Sequence, residues 1–236
     1  MAGERADGPG GPDGPGDDGG EGGGEDPLPF GVAGLDDRLG APLRPGSVVA
    51  LSADPASPSE ELLYPPAAAN PNRYLTTLRG AAEVRAHADR TVDTGSIDVR
   101  EATGSSLLDD PAGSFSGLDP RSVVVLDPVT ELEREGRERY RAFLDTLVRA
   151  VRTTESVALL HCLRMNPRAL QRDLTLAVAD TVLELETYVD ENGGPVVTLA
   201  ARKARFGRAP AGPVPLSFED GPAVAGGSGA GTDTGE

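Results

Sequence analysis

The segment that most constrains the fold is Ser47–Leu62, in which an apolar strand leads into a loop of small residues and then into a helical stretch. A strand, a tight loop and a helix in this order form the setting of a phosphate-binding loop, whose pattern is G-x-x-x-x-G-K-[ST]. In that pattern glycines let backbone N–H groups wrap the phosphates, the lysine pairs with their charge and the Ser or Thr holds Mg²⁺. The chain is therefore predicted to contain an α/β unit whose first strand precedes this loop.

Residues 53–60, which end this strand and follow it, can be aligned with the pattern without gaps. They lack the residue types that bind phosphate and Mg²⁺. Ala53 and Pro58 stand at the two glycines, Ser59 stands at the lysine and Glu60 stands at the Ser or Thr. Proline has no N–H to donate, and a carboxylate repels a polyphosphate. These four residues are predicted to form a degenerate phosphate loop that does not hold ATP.

Both ends of the 236-residue chain differ in composition from its middle. Residues 1–26 contain eleven Gly, three Pro and eight acidic residues, and residues 221–236 are rich in Gly, Ser and Thr. Neither end has apolar periodicity that would offset the entropy lost on ordering. We predict two disordered tails around a single domain at residues 27–220, a size that suits one α/β core.

The charge balance is strongly acidic, with a formal net charge of −16. Lys203 is the only lysine among 22 basic residues, and this composition resembles that of proteins from salt-loving archaea. The acidic excess disfavours nucleic acid and membrane surfaces as partners. A lone Cys162 excludes an internal disulfide, and no apolar run approaches the roughly 20 residues of a membrane helix. With no basic and apolar N-terminal signal, we predict a cytoplasmic protein.

Apolar runs and turn residues predict the remaining elements, and the segment Glu101–Pro120 is predicted to be an irregular connector. Pro65 and Pro66 are expected to end the first helix. The predicted strands are Asn72–Leu78, Ser96–Arg100, Arg121–Asp127, Glu155–Cys162, Asp180–Val189, Pro195–Lys203 and Pro213–Phe218, and the predicted helices are Ser59–Tyr64, Ala81–Arg90, Val129–Arg152 and Pro167–Ala177.

The run from Phe30 to Val49, F-G-V-A-G-L-D-D-R-L-G-A-P-L-R-P-G-S-V-V, resembles the start of the RecA-like domains of the KaiC family. In that family a G-x-x-G-L-D segment and a P-x-G-S turn lead into the first strand. The likeness continues through most of Phe30–Phe218 in the scaffold and lapses at the catalytic positions. It implies an α/β RecA-like P-loop NTPase fold, with a mostly parallel central sheet, helices on both faces and an antiparallel edge.

The resemblance also assigns expectations to single residues. Arg79 and Gly80 stand where the family carries a Glu pair that activates water, and neither is a general base. Asp127 matches the Asp that assists Mg²⁺ and is interpreted as a relic or a strand-end hydrogen bonder. His161 matches a polar sensor position and is interpreted as structural, and no metal site is predicted. No Ser/His/Asp triad is legible in the sequence, so no catalytic residue is assigned.

Three functional hypotheses remain. The first is a non-catalytic regulatory or protein-binding module without a cofactor, which forms a homo-oligomer or binds an active KaiC-type protein. The second is a weak ATPase that uses ATP and Mg²⁺, with Arg73 or Arg79 replacing the lysine and Asp127 holding the metal. The third is a DNA recombination accessory.

The only basic cluster underlies both the partner and the DNA hypotheses, and it is Arg202, Lys203, Arg205 and Arg208 beside Phe206-Gly207. It is interpreted either as a contact to a neighbouring subunit, with Phe206 near the interface, or as a charged edge that prevents aggregation. Four basic residues would hold DNA poorly in a salt-rich cytoplasm, so nucleic acid is the disfavoured partner.

Overall fold

The computed structural model describes residues 26–191, 193–206 and 212–226. Within these residues the strands are β1 Val48–Ala53, β2 Asn72–Thr76, β3 Val99–Glu101, β4 Val123–Asp127, β5 Val157–Leu163, β6 Thr181–Val189, β7 Pro195–Ala204, β8 Val214–Ser217 and β9 Ala223–Val224. They form one sheet in the order β3-β2-β4-β5-β1-β6-β7-β8-β9.

The sheet is parallel from β3 to β6 and antiparallel from β6 to β9. β-Branched and leucine-rich runs that are buried on both faces, such as β4 and β5, are typical of central parallel strands. This arrangement confirms the predicted fold class, including the antiparallel edge. Because the central strands are parallel, the carboxyl ends of β1, β2, β4 and β5 meet at one edge of the sheet.

Helices cover both faces of the sheet, and three further segments, Ser59–Leu62, Thr94–Ser96 and Val129–Arg134, form 3₁₀ turns. The first three helices contribute to one buried apolar cluster and the last four contribute to the other. The helices are α1 Leu35–Leu39, α2 Tyr64–Ala69, α3 Ala81–Ala88, α4 Gly104–Asp109, α5 Pro111–Phe115, α6 Arg137–Thr153 and α7 Arg172–Val178.

Pro65 and Pro66 begin a helix instead of ending one. The 3₁₀ turn Ser59–Leu62 stops, and α2 starts at Tyr64 with the prolines in its first turn. The first N–H groups of a helix have no partner within the helix, so proline costs nothing there. The prediction that the prolines leave only a short helix at Ser59–Tyr64 is therefore wrong, and α2 buries Tyr64 and Ala67 against the sheet.

Two other predictions are wrong. The predicted helix Val129–Arg152 is divided, because Glu135 and Gly136 are extended between the 3₁₀ turn and α6. The predicted connector Glu101–Pro120 contains α4 and α5, whose first turns are capped by the Thr103 and Asp110 side chains. Such caps satisfy N–H groups that would otherwise lack partners.

The sheet continues past the predicted end of the domain at residue 220, because β9 pairs with β8. Residues 1–25 and 227–236, which hold most of the two predicted tails, lie outside the described residues. Among the residues that the structure describes, no helix has the length and apolar character needed to cross a bilayer.

Candidate functional site

The carboxyl edge of the central strands brings together residues that are far apart in the sequence. Asp127 ends β4, His161 lies in β5, and Ser59 begins the 3₁₀ turn that follows the loop after β1. Arg79 follows β2. In open α/β sheets this edge is where ligands bind, so it is the first place to look for chemistry.

Four buried side chains at this edge form a hydrogen-bonded chain. The Ser59 Oγ lies 2.9 Å from His161 Nε2, and His161 Nδ1 lies 2.7 Å from Asp127 Oδ1. The Tyr74 hydroxyl donates to Asp127 Oδ2 at 2.5 Å. An ionised carboxylate only accepts, so Nδ1 donates to Asp127, and in the neutral imidazole Nε2 accepts from Ser59.

The order Ser59, His161, Asp127 is that of a hydrolytic triad, which the sequence analysis did not find. Accessibility separates it from a working triad, because Ser59 and His161 are 1 % exposed and Asp127 is 2 % exposed. A nucleophile must reach the substrate carbonyl, and Ser59 Oγ is covered by the protein. The chain is therefore a sealed polar network, in line with the structural interpretation of His161.

Arg79 closes this network from the other side. Its Nη2 donates to Asp127 Oδ2 at 3.0 Å and to the Tyr64 hydroxyl at 3.3 Å, and its Nη1 lies 2.7 Å from Glu60 Oε2. The Arg79 side chain is 17 % exposed. One guanidinium thus bridges the carboxylates of Glu60 and Asp127 at the carboxyl edge of the sheet.

The pKa shifts follow from this packing. Burial opposes ionisation of Asp127, but its hydrogen bonds with His161 and Tyr74 and the charge of Arg79 hold its pKa below the ordinary value. Burial raises the pKa of Glu60 despite the nearby Arg79, and burial raises the pKa of Tyr64 to about 12. Asp127 is the carboxylate that the network stabilises in its charged form.

The loop between β1 and the 3₁₀ turn is closed on itself. Asp54 Oδ1 accepts the Ala56 N–H at 2.8 Å, and the Asp54 carbonyl accepts both the N–H and the hydroxyl of Ser57. Pro55 and Pro58 have no N–H. Ala53 lies in the apolar core at the end of β1, while Ser59 and Glu60 reach the network.

These contacts do not suit bound MgATP. Two loop N–H groups that could meet phosphate are already engaged, that of Ala56 by the Asp54 carboxylate and that of Ser57 by the Asp54 carbonyl. Both oxygens of Asp127, the residue that the resemblance matches to the Mg²⁺-assisting Asp, are engaged by His161, Tyr74 and Arg79. Among the described residues there is no cluster of three His, Cys, Asp or Glu side chains that would hold a metal ion.

The described part of the basic cluster pairs within the protein. Arg202 pairs with Glu184, and Arg205 pairs with the buried Asp180. Lys203 Nζ donates to the carbonyls of Leu176, Ala177 and Ala179 at the end of α7. Three diverging N–H donors on one nitrogen suit this task. Phe206 is 49 % exposed, and Gly207 and Arg208 lie outside the described residues.

The comparisons with known proteins place the chain in a family and in a fold. Residues 27–227 match the profile of a family of unknown function, DUF7125. The chain belongs to the DUF7125 family. No curated protein matches this DUF7125 chain.

One solved structure shows the fold of this DUF7125 protein. A KaiC-like protein from the hyperthermophilic archaeon Pyrococcus horikoshii OT3 is similar with a TM-score of 0.70 and 14 % identity. The likeness covers 84 % of this chain and 98 % of that protein. It shows a KaiC-like RecA fold and agrees with the resemblance seen in the run from Phe30 to Val49.

Sequence reasoning named the positions of this site but missed their contacts. It treated Arg79 as a lost base or as a replacement for the lysine, and it did not connect Arg79 with Glu60. A signal was present in the sequence. Glu60 stands where the phosphate-loop pattern has Ser or Thr, and Arg79 stands where the KaiC family has Glu. Such a reciprocal exchange of charge indicates an internal ion pair. Nothing in the sequence indicated Tyr64 or Tyr74.

Proposed function

We propose that this DUF7125 protein is a non-hydrolysing RecA-type module of the KaiC kind, which acts in the cytoplasm by binding another protein or a second copy. The observation that carries the proposal is the Arg79 guanidinium held between Asp127 and Glu60, at 3.0 and 2.7 Å. A nucleotide hydrolase needs a group that positions water and cations that meet the phosphates. Here the Arg79 guanidinium is paired with two carboxylates of the protein itself.

Two independent parts of a hydrolytic site are changed at once. Losing an electrostatic donor typically lowers a rate by about 10²–10³. Losing a general base lowers it by about 10²–10⁴. Arg79 supplies no base, and Ser59 supplies no charge for phosphate.

The weak-ATPase alternative requires an arginine to take the role of the lysine. Arg73 is unsuited, because its guanidinium donates to the carbonyls of Ser114, Ser116 and Gly117 near the end of α5. Arg79 is paired with Asp127 and Glu60. The DNA alternative is weakened by the internal pairing of Arg202, Lys203 and Arg205.

Nucleotide binding is the direct test. We expect ATP with Mg²⁺ at millimolar concentration in molar KCl to leave the melting temperature unchanged, and we expect hydrolysis to stay at the level of a protein-free blank. A ligand at 100 times its dissociation constant would add about 2.7 kcal/mol of stability, which a thermal scan detects. An active RecA-type ATPase in the same buffer is the positive control. Turnover on the order of 1 s⁻¹, within the ordinary enzymatic range, would refute the proposal.

The partner surface that we propose lies around Phe206, a half-exposed aromatic side chain two residues after the end of β7. Aromatic anchors carry a large share of binding energy in interfaces, about 2 kcal/mol or more for a central residue. We expect Phe206→Ala to weaken assembly in molar KCl, measured by light scattering across a dilution series. Leu170→Ala, at a residue 73 % exposed, is the matched control. A wild-type protein that is a strict monomer and retains no partner, or an assembly that Phe206→Ala leaves unchanged, contradicts this surface.

A further inference from the structure

A cleft of ≈ 340 Å³ lies on the opposite face of the sheet from α2 and the degenerate loop. Its walls include three arginines spaced four residues apart, Arg164, Arg168 and Arg172, together with Met165 and Leu176. Leu176 packs on the buried cluster that contains α6, whereas α2 packs on the other cluster. The cleft is therefore distinct from the Asp127 network.

Arg172 is fixed by its contacts in the wall of this cleft. Its Nε and Nη2 donate to Glu133 at 2.7–2.9 Å, and Nη2 also donates to Thr130 Oγ1 and to the Leu163 carbonyl. The remaining nitrogen, Nη1, has no hydrogen-bond partner among the described residues. Among the described residues, the fully buried polar side-chain atoms without a partner are Arg44 Nε, Ser47 Oγ and Arg73 Nε, and Nη1 of Arg172 is not among them. Nη1 therefore keeps a small solvent-accessible area on a residue that lines the cleft.

The other two arginines complete a positive wall. Arg164 is held by Glu184, Glu186 and the Leu185 carbonyl. Arg168 is exposed and makes no ion pair or hydrogen bond with any residue that the structure describes.

The cleft carries more positive than negative charge. The charged residues of the cleft and their ion-pair partners comprise four guanidinium groups, those of the three cleft arginines and Arg202, and three carboxylates, those of Glu133, Glu184 and Glu186. One positive charge is in excess, on a chain whose net charge is −16.

We propose that this cleft binds a small organic anion, a carboxylate or a phosphate monoester with an apolar body. Arg168 and Arg172 Nη1 would donate to the anionic oxygens, because guanidinium groups bind planar and tetrahedral oxyanions with paired hydrogen bonds. Met165 and Leu176 would contact the apolar part, since a thioether side chain adapts to irregular surfaces. The volume lies at the lower end of the range for small-molecule sites, about 300–1,000 Å³.

The test uses 1-anilinonaphthalene-8-sulfonate, a fluorescent probe with an anionic group and an apolar body, titrated onto the full chain in molar KCl. We expect Arg168→Ala to weaken probe binding by about tenfold, the usual effect of losing a hydrogen bond to a charged group. The matched control is Arg141→Ala, which removes the same charge from an exposed residue without a described partner. Met165→Glu, at a residue 38 % exposed, should abolish binding by adding a carboxylate.

Competition identifies the anion. Stronger displacement of the probe by phenyl phosphate than by benzoate assigns a phosphate monoester, and the reverse assigns a carboxylate. The proposal is overturned if neither competitor displaces the probe, if Arg168→Ala binds as well as wild type, or if Arg141→Ala weakens binding equally. A thermal shift by ATP that disappears in Arg168→Ala would belong to this cleft, whereas one that persists would contradict the proposed function instead.

Discussion

Replacing Asp127 by alanine is expected to lower the free energy of unfolding by about 3–5 kcal/mol, the usual cost of removing one partner from a buried ion pair. The change leaves the Arg79 guanidinium, the His161 Nδ1 and the Tyr74 hydroxyl without their common acceptor. Unfolding by urea in molar KCl measures the effect. The control is Asp98→Ala, which breaks the exposed pair with Arg100 and should cost about 0–1 kcal/mol.

The pH dependence gives this prediction a second readout. The pKa of Asp127 is lower in the folded protein than in the unfolded chain. Its ionised form therefore stabilises the fold fully at pH values above the pKa of the unfolded chain, about 4. That stabilisation is lost as the pH falls through the lowered pKa. The difference between wild type and Asp127→Ala should therefore be full near neutral pH and shrink below about pH 4. An Asp127→Ala effect no larger than that of Asp98→Ala would show that the network contributes nothing.

The sheet was predictable because its strands are encoded by short local runs. The sequences of β4 and β5 are almost uninterrupted apolar residues, which only a strand buried on both faces accommodates at that length. The failures lie where tertiary contacts override composition. Glu101–Pro120 is rich in Gly, Ser and Asp, yet Leu107, Leu108 and Phe115 are buried against α6 and the sheet, and this burial stabilises two short helices.

The site was predictable as a set of positions and not as a set of contacts. Ser59, Arg79, Asp127 and His161 span more than a hundred residues of sequence, and only the strand order brings them to one edge. Periodicity and motif spacing describe neighbours along the chain, so they contain no information on which of these residues share hydrogen bonds. The triad-like order of Ser59, His161 and Asp127 could not be found without the topology.

The network explains how the protein stabilises a buried carboxylate at the end of a central strand. A carboxylate at a buried strand end destabilises a protein unless it is paired and hydrogen-bonded. Arg79, His161 and Tyr74 supply that pairing from within the chain. Glu60 and Asp127 therefore share one cation, Arg79, and the three residues form a single charge network.

Replacing Glu133 by leucine is expected to lower the free energy of unfolding by about 3–5 kcal/mol. Glu133 is fully buried, accepts three hydrogen bonds from Arg172 and one from the Thr175 hydroxyl, and so ties the 3₁₀ turn after β4 to α7. Without it Arg172, 4 % exposed, keeps a buried charge with no counter-ion. Denaturant unfolding measures the change, and Glu131→Leu, which breaks a partly exposed pair with Arg134, is the control.

The double variant Glu133→Leu with Arg172→Leu decides what the pair contributes. Replacing both members of a buried ion pair by apolar residues is often neutral or stabilising, so the double variant should regain most of the stability lost in Glu133→Leu. Because the double variant is expected to lie near the wild type while Glu133→Leu alone costs about 3–5 kcal/mol, the double-mutant cycle should give a coupling of about 3 kcal/mol or more. Independent, additive losses would show instead that the residues do not act as a pair. The double variant should fold, because it has no unpaired buried charge. It should still bind the anionic probe more weakly than wild type, because it lacks Arg172 Nη1. The two results separate the stability of α7 from anion binding in the cleft.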